Sequence, residues 1–95
     1  MKKLVWDNNF RRAFKKQTRH NPRLKAQIFD VLERLSADPF HPSLRTHKLK
    51  GTLEGLWACW VEYDCRIIFL FDVDPAINHE EVIVLVDIGS HDEVY

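Results

Sequence analysis

Residues 56–73 read LWACWVEYDCRIIFLFDV, and their composition decides the fold class. Aromatic and β-branched side chains suit a pleated, half-buried surface, so LWACWVEY (56–63) and RIIFLFDV (66–73) each read as a strand. The segment YDCR (63–66) between them fits a tight turn. A third run, EVIVLVDI (81–88), follows the longer connection DPAINHE (74–80). The second and third runs are nearly continuous in apolar residues, as expected for strands that are covered on both faces or lie centrally.

Upstream of residue 56 the period changes. KLVW (3–6) reads as a short strand, and Asp7 can cap a helix whose inner side carries Phe10, Ala13 and Phe14. The outer side of that helix carries Arg11, Arg12, Lys15, Lys16 and Arg19. Asn21-Pro22 restarts the helix, because asparagine suits the cap and proline the first helical position. Leu24, Ile28, Val31, Leu32 and Leu35 then form one apolar stripe, so the second helix runs to about Ser36 or Ala37, before Asp38-Pro39 stops it. DPFHPSLRTHKLKG (38–51) reads as an irregular crossing that carries His41 and His47 toward the sheet. The expected order is β-α-α-β-β-β. This is an α+β fold, with a helical hairpin packed on one face of a mainly antiparallel four-stranded sheet, in a single domain spanning 1–95.

The chain of 95 residues is 45% hydrophobic, with three Trp and six Phe, enough for one core and too short for two domains. MKKLVW offers only a three-residue apolar run after its lysines, and no later run approaches the roughly 18 residues of a membrane span. A cytoplasmic location, with no membrane contact, is the expectation. Cys59 and Cys65 have neither CxxC spacing nor a partner histidine pair, so buried thiols are expected, with no metal and no cofactor. The net charge is zero, but residues 1–50 hold 13 Lys/Arg against 4 Asp/Glu, and residues 51–95 hold 1 against 10. A neutral total therefore conceals a basic half suited to a phosphate backbone or an acidic protein. The plainer alternative is two solvated helix faces.

HKLKGTLEGLWACWVEYDCRIIFLF (47–71) combines His-Lys-Leu-Lys-Gly, Gly-Leu-Trp and Asp-x-Arg-Ile-Ile-Phe elements, and DIGSHDEVY (87–95) closes the chain. In these elements, in its length and in its strand order, the sequence resembles the RelE/ParE superfamily of bacterial toxin-antitoxin toxins, nearest its YafQ/RelE branch. The resemblance implies a ribosome-dependent mRNA endonuclease that is neutralised by a small cognate antitoxin wrapped around it, with mRNA and the ribosome as its other partners. Two further readings share the fold: a ParE-type inhibitor of DNA gyrase, and a catalytically decayed toxin that only binds its antitoxin. His47, His91 and Tyr95 argue against the first of these.

Metal-free RNA cleavage proceeds by attack of the 2′-OH on the adjacent phosphorus. It needs a base for the 2′ proton, an acid for the leaving oxygen and a cation for the phosphoryl charge. Histidine, with an ordinary pKa of about 6.5, suits the first two roles, and arginine suits the third. His91 stands past the last strand beside a Gly-Ser turn, where YafQ-like toxins carry a catalytic histidine; the plain alternative is a loop histidine capping the strand. His47 stands where those toxins carry a histidine ahead of Leu-x-Gly, and a solvent-facing loop residue is the alternative. Arg66, the lone cation of residues 51–95, matches a phosphate-contacting arginine; an ion pair with Asp64 or Glu62 would also account for it. A hairpin turn confined to Asp64 and Cys65 would put Arg66 and Tyr63 on one face, and a bulge would change that. Asp64 matches a functional aspartate of the branch but is also a favoured turn residue.

One position departs from the branch, because Trp60 stands where a second-strand histidine is usual. Trp60 could stack on an extruded base, although strand tryptophans are more often core, and period-2 alternation puts it opposite Trp57. Arg45, Lys48 and Lys50 crowd the segment around His47 and would serve RNA phosphates, or simply form a solvated loop. The resemblance also gives Tyr95 a place in the site, since the family commonly keeps an aromatic near its end.

Overall fold

Two helix caps that accept backbone N–H groups and one two-residue turn set the frame. The computed structural model describes residues 1–74, 76, 79–90 and 94. Its elements are β1 (Lys3–Trp6), α1 (Asn8–Thr18), α2 (Pro22–Ala37), β2 (His47–Lys48), β3 (Trp57–Glu62), β4 (Cys65–Asp74) and β5 (Glu80–Gly89). Single 3-10 turns at Pro42–Leu44 and Gly51–Leu53 flank β2. The Asp7 carboxylate accepts the Phe10 N–H at 2.7 Å, and the Asn21 side chain accepts the Leu24 N–H at 3.1 Å, so both helices start where their cap residues satisfy an orphan donor.

The sheet has five strands in the order β1-β5-β4-β3-β2, one more than the sequence pattern indicates. The additional strand is β2, which pairs His47 with Ala58 and Lys48 with Trp57. Two residues are too few to show a period, so the crossing segment conceals it. All neighbours are antiparallel except β1, which runs parallel to β5. The two nearly continuous apolar runs are β4 and β5, and both are interior strands.

Alternation sends Trp57, Cys59 and Val61 of β3, and Cys65, Ile67, Phe69 and Phe71 of β4, toward the helices. There they meet Phe10 of α1 and the whole Leu24-Ile28-Val31-Leu32-Leu35 stripe of α2. Burying each such side chain is worth roughly 1.5–3 kcal/mol, which makes this face the dominant stabilising layer. Trp6 closes its α1 end, edge-on to Phe10 and Phe14 at 4.9 and 5.1 Å, while Phe40 and Phe71 flank Trp57 at 5.5 and 5.4 Å. On the other face a smaller cluster forms, in which Ala58, Ile68 and Val94 are buried among Leu49, Leu56 and Val86.

Cys59 and Cys65 are buried free thiols on the helix-facing side. Burial, reinforced by neighbouring Cys65, pushes the Cys59 thiol up from its ordinary 9.0 to about 12. The folded chain therefore keeps a proton that the unfolded chain releases above pH 9.0. The corresponding stability is complete below that pH and is lost as pH rises through the folded value near 12. Urea unfolding at about pH 8 and about pH 10.5 should show the parent losing more stability than Cys59→Ala over the same interval. Equal losses in the two proteins would contradict a protonated buried thiol.

Candidate active site

The sheet register carries residues distant in sequence into two rows on the face away from the helices. One row runs His47, Ala58, Ile68, Asp87 across β2, β3, β4 and β5, and the next runs Trp60, Arg66, Gly89. Directly opposed residues share a face with Cβ atoms about 4.5–5.5 Å apart, so His47, Trp60, Arg66 and Asp87 belong to one surface. Gly89 contributes no side chain beside Arg66.

This register depends on the β3–β4 hairpin. Its turn is Tyr63-Asp64, with Glu62 opposite Cys65, and a bulge between Trp60 and Glu62 restores the pairing of Trp60 with Arg66. Arg66 therefore lies beside Trp60, and the arrangement that a turn at Asp64 and Cys65 would give does not form. Tyr63 is 89% exposed at the tip. Asp64 occupies the turn with it, the geometry aspartate favours.

Arg66 is tied to its own hairpin. Its Nη1 donates to the carbonyls of Glu62, Tyr63 and Cys65 at 2.6, 3.0 and 3.2 Å. The Glu62 carboxylate meets Arg23 of α2 instead, at 3.4 Å. These bonds fix the plane of a fork that has five N–H donors in all.

Arg45 closes the 3-10 turn Pro42–Leu44 in the left-handed backbone region, φ 51° and ψ 38°. A side chain there costs about 1–2 kcal/mol. Leu44, almost fully buried, anchors the turn that imposes it. The Arg45 guanidinium lies 4.8 Å from the centre of the Trp60 ring, a cation–π contact on the open face. His47 Nδ1 lies 2.9 Å from the Arg45 carbonyl oxygen.

The basic segment is divided between the two faces. Lys48 pairs with Trp57, points opposite to His47 and holds its ammonium 5.5 Å from the Trp57 ring centre. Lys50 is exposed and borders, with Lys48, Glu54 and Trp57, a cleft of about 610 Å³. Gly51 and Gly55, at φ 70° and 94°, make the two bends of this segment, which explains the glycines of the Leu-Lys-Gly and Glu-Gly-Leu elements.

His91 and Tyr95 lie outside the described residues. Val94 between them is described: its side chain is buried against Ala58 and Ile68, and its N–H donates to the Ser90 carbonyl at 3.1 Å. Two members of this surface escaped the sequence reading, Val94 and Asp87. Asp87 is half-buried, and its carboxylate accepts the Ile88 N–H at 2.8 Å. The available signal was an acid interrupting the apolar run 81–88. The acids Asp72, Asp74, Glu80 and Glu81 gather at the opposite end of β4 and β5. At about 3.3 Å per residue, Asp74 lies roughly 25 Å along the strand from Arg66. Among the described residues, no three His, Cys, Asp or Glu side chains converge as a metal site requires, and no helix is long and apolar enough to cross a membrane.

A helical hairpin on a mostly antiparallel sheet is the architecture of the YoeB, ParE and YafQ toxins. A YoeB/ParE toxin from Agrobacterium tumefaciens superimposes with a TM-score of 0.76 at 19% identity, over 94% of this chain and 98% of that one. YafQ from E. coli strain BL21(DE3) gives 0.76 at 15% identity, over 100% and 99%. The YoeB-YefM complex from Staphylococcus aureus gives 0.70 at 15% identity, over 96% and 98%. A comparison with curated proteins gives no match. The family model for YafQ, the bacterial toxin of a type II toxin-antitoxin system, matches residues 2–95, and the chain belongs to that family.

The hairpin contacts generate a stability prediction. Arg66→Ala removes the donor from the carbonyls of Glu62, Tyr63 and Cys65, so denaturant unfolding should show a loss of about 1 kcal/mol. An unchanged midpoint would show that these bonds contribute nothing.

Proposed function

We propose that this toxin is an endoribonuclease that cuts mRNA on the ribosome, in the cytoplasm, by 2′-OH attack without a metal ion. The observation that carries the reading is the shared face of His47, Trp60 and Arg66, in a YafQ-family chain whose Val94 is buried on that same face. In this reading Arg66 meets the charge developing on the phosphoryl oxygens, since its described bonds engage Nη1 and leave the rest of the fork directed by them. Trp60, steadied by Arg45, offers a ring on which an unstacked base rests, worth about 1–3 kcal/mol.

His47 and His91 divide the proton transfers between the 2′-OH and the leaving oxygen. Tyr95, covalently next to the buried Val94, completes the site. Asp64 serves the turn and acts on the chemistry only through the hairpin it closes. Arg45, Lys48 and Lys50, with the basic outer face of α1, supply phosphate contacts, while the acids at the far end of β4 and β5 stay remote from the RNA. The partner that silences the toxin is a cognate antitoxin; the YoeB toxin of similar fold is known in a complex with YefM. A segment that is acidic and apolar, and that folds on binding, would complement the basic surface.

Induced expression of the free chain should stop growth by halting translation, with mRNA cut inside reading frames. Double-strand DNA breaks beside intact mRNA would instead support gyrase inhibition, and growth without arrest would support a decayed toxin. His91→Ala should abolish the arrest while the variant still folds and binds antitoxin, and Arg66→Ala should slow cleavage on the order of 10²-fold. Deleting Tyr95 should change stability by no more than about 0.5–1 kcal/mol, yet sharply reduce cleavage on programmed ribosomes. Parental cleavage by any of the three variants removes that residue from the site.

A further inference from the structure

We propose that Arg45 is a positioning residue, whose left-handed backbone sets His47 in the tautomer that leaves Nε2 to take up a proton. This rests on the ribonuclease reading and deepens it. A carbonyl oxygen has no proton to give, so the nitrogen 2.9 Å from the Arg45 oxygen, Nδ1 of His47, must be the donor. That bond survives in both the neutral and the protonated ring. Proton exchange is therefore confined to Nε2, which the ring geometry turns away from the carbonyl.

Both ends of the bond are pinned. The acceptor is fixed because Arg45 adopts φ 51° and ψ 38°, its N–H bonds the Pro42 carbonyl at 3.3 Å, and buried Leu44 holds the turn. The donor is fixed because His47 is paired with Ala58 in the sheet. An extended backbone at residue 45 would carry its carbonyl away from the side chain two residues on. The Arg45 guanidinium, over Trp60, ties the same residue to the stacking platform. One residue thus couples a base-holding ring to the tautomer of a proton-transfer group.

The preceding turn provides an opposite case. His41 Nδ1 lies 3.2 Å from the Ser43 backbone nitrogen and 2.8 Å from Ser43 Oγ; the backbone N–H can only donate and the hydroxyl can do so too, so we assign neutral His41 a proton on Nε2. Two histidines six residues apart are therefore assigned opposite tautomers, and each serves as a control for the other.

Long-range proton–nitrogen NMR of the full, nitrogen-15-labelled chain, above the titration of both rings, reads the tautomers directly. His47→Gln and His41→Gln assign the signals. Neutral His47 should give the Nδ1–H pattern and His41 the Nε2–H pattern. Arg45→Gly, which tolerates positive φ, should keep the His47 tautomer while weakening RNA binding. Arg45→Val, a β-branched side chain that resists this region, should release it and lower kcat on the order of 10²-fold, the smaller end of what a positioned base contributes. An Nε2–H pattern for His47 in the parent overturns the proposal, as does parental kcat in Arg45→Val once its tautomer has changed. If the parent cuts no RNA, the ribonuclease reading fails separately, and the ring spectra still decide whether Arg45 sets the tautomer.

Discussion

The pairing of Trp60 with Arg66 across the β3–β4 hairpin fixes which way every residue of the sheet faces. Side chains alternate with a period of two, so a one-residue slip of β4 against β3 would turn Cys65, Ile67, Phe69 and Phe71 away from the helices and drive Arg66 into the core. At roughly 1.5–3 kcal/mol for each buried apolar side chain, such a slip would cost an amount comparable to the chain's whole stability margin. The core thus specifies the register, and the register specifies the site. The bulge between Trp60 and Glu62 is part of that specification, because it lets a two-residue turn coexist with Val61 in the core and Trp60 paired with Arg66.

From that hairpin the rest of the surface follows outward in both directions. On one side β2 adds His47 by pairing it with Ala58, and on the other β5 adds Asp87 and Gly89. Val94 is buried on this face too, against Ala58 and Ile68. The charges follow the same geometry. Arg23, Arg45 and Arg66 lie near the hairpin with Glu62 and Asp64, and a group of four acids, Asp72, Asp74, Glu80 and Glu81, lies at the opposite end of the two longest strands.

The elements with strong local signals were legible in the sequence. Asp7 and Asn21-Pro22 mark both helix starts, the α2 stripe is buried in full, and the aromatic and β-branched runs are β3, β4 and β5. The opposed faces of Trp57 and Trp60 followed from alternation alone. What was hidden depends on contacts that no local pattern records. β2 is too short to show a period, the left-handed Arg45 is imposed by a turn anchored through Leu44, and the place of Val94 depends on its contact with Ala58 of β3 and Ile68 of β4. Arg66 was singled out as a lone cation in an acidic half, but its three bonds to the hairpin carbonyls required the turn to be located first.

The chemistry assigned to the open face leaves a signature in its product that is independent of which residue acts as base. Attack by the 2′-OH expels the 5′ oxygen and leaves a 2′,3′-cyclic phosphate, or the 3′-phosphate from its opening, beside a 5′-OH. Purified ribosomes programmed with an end-labelled mRNA, incubated with the toxin and analysed for the chemistry of the new ends, test this most directly. A 5′-OH and a cyclic or 3′-phosphate are predicted, with cleavage lost when the nucleotide at the cut carries 2′-deoxyribose. A 5′-phosphate and a 3′-OH, or undiminished cleavage of the deoxy-substituted message, would contradict it.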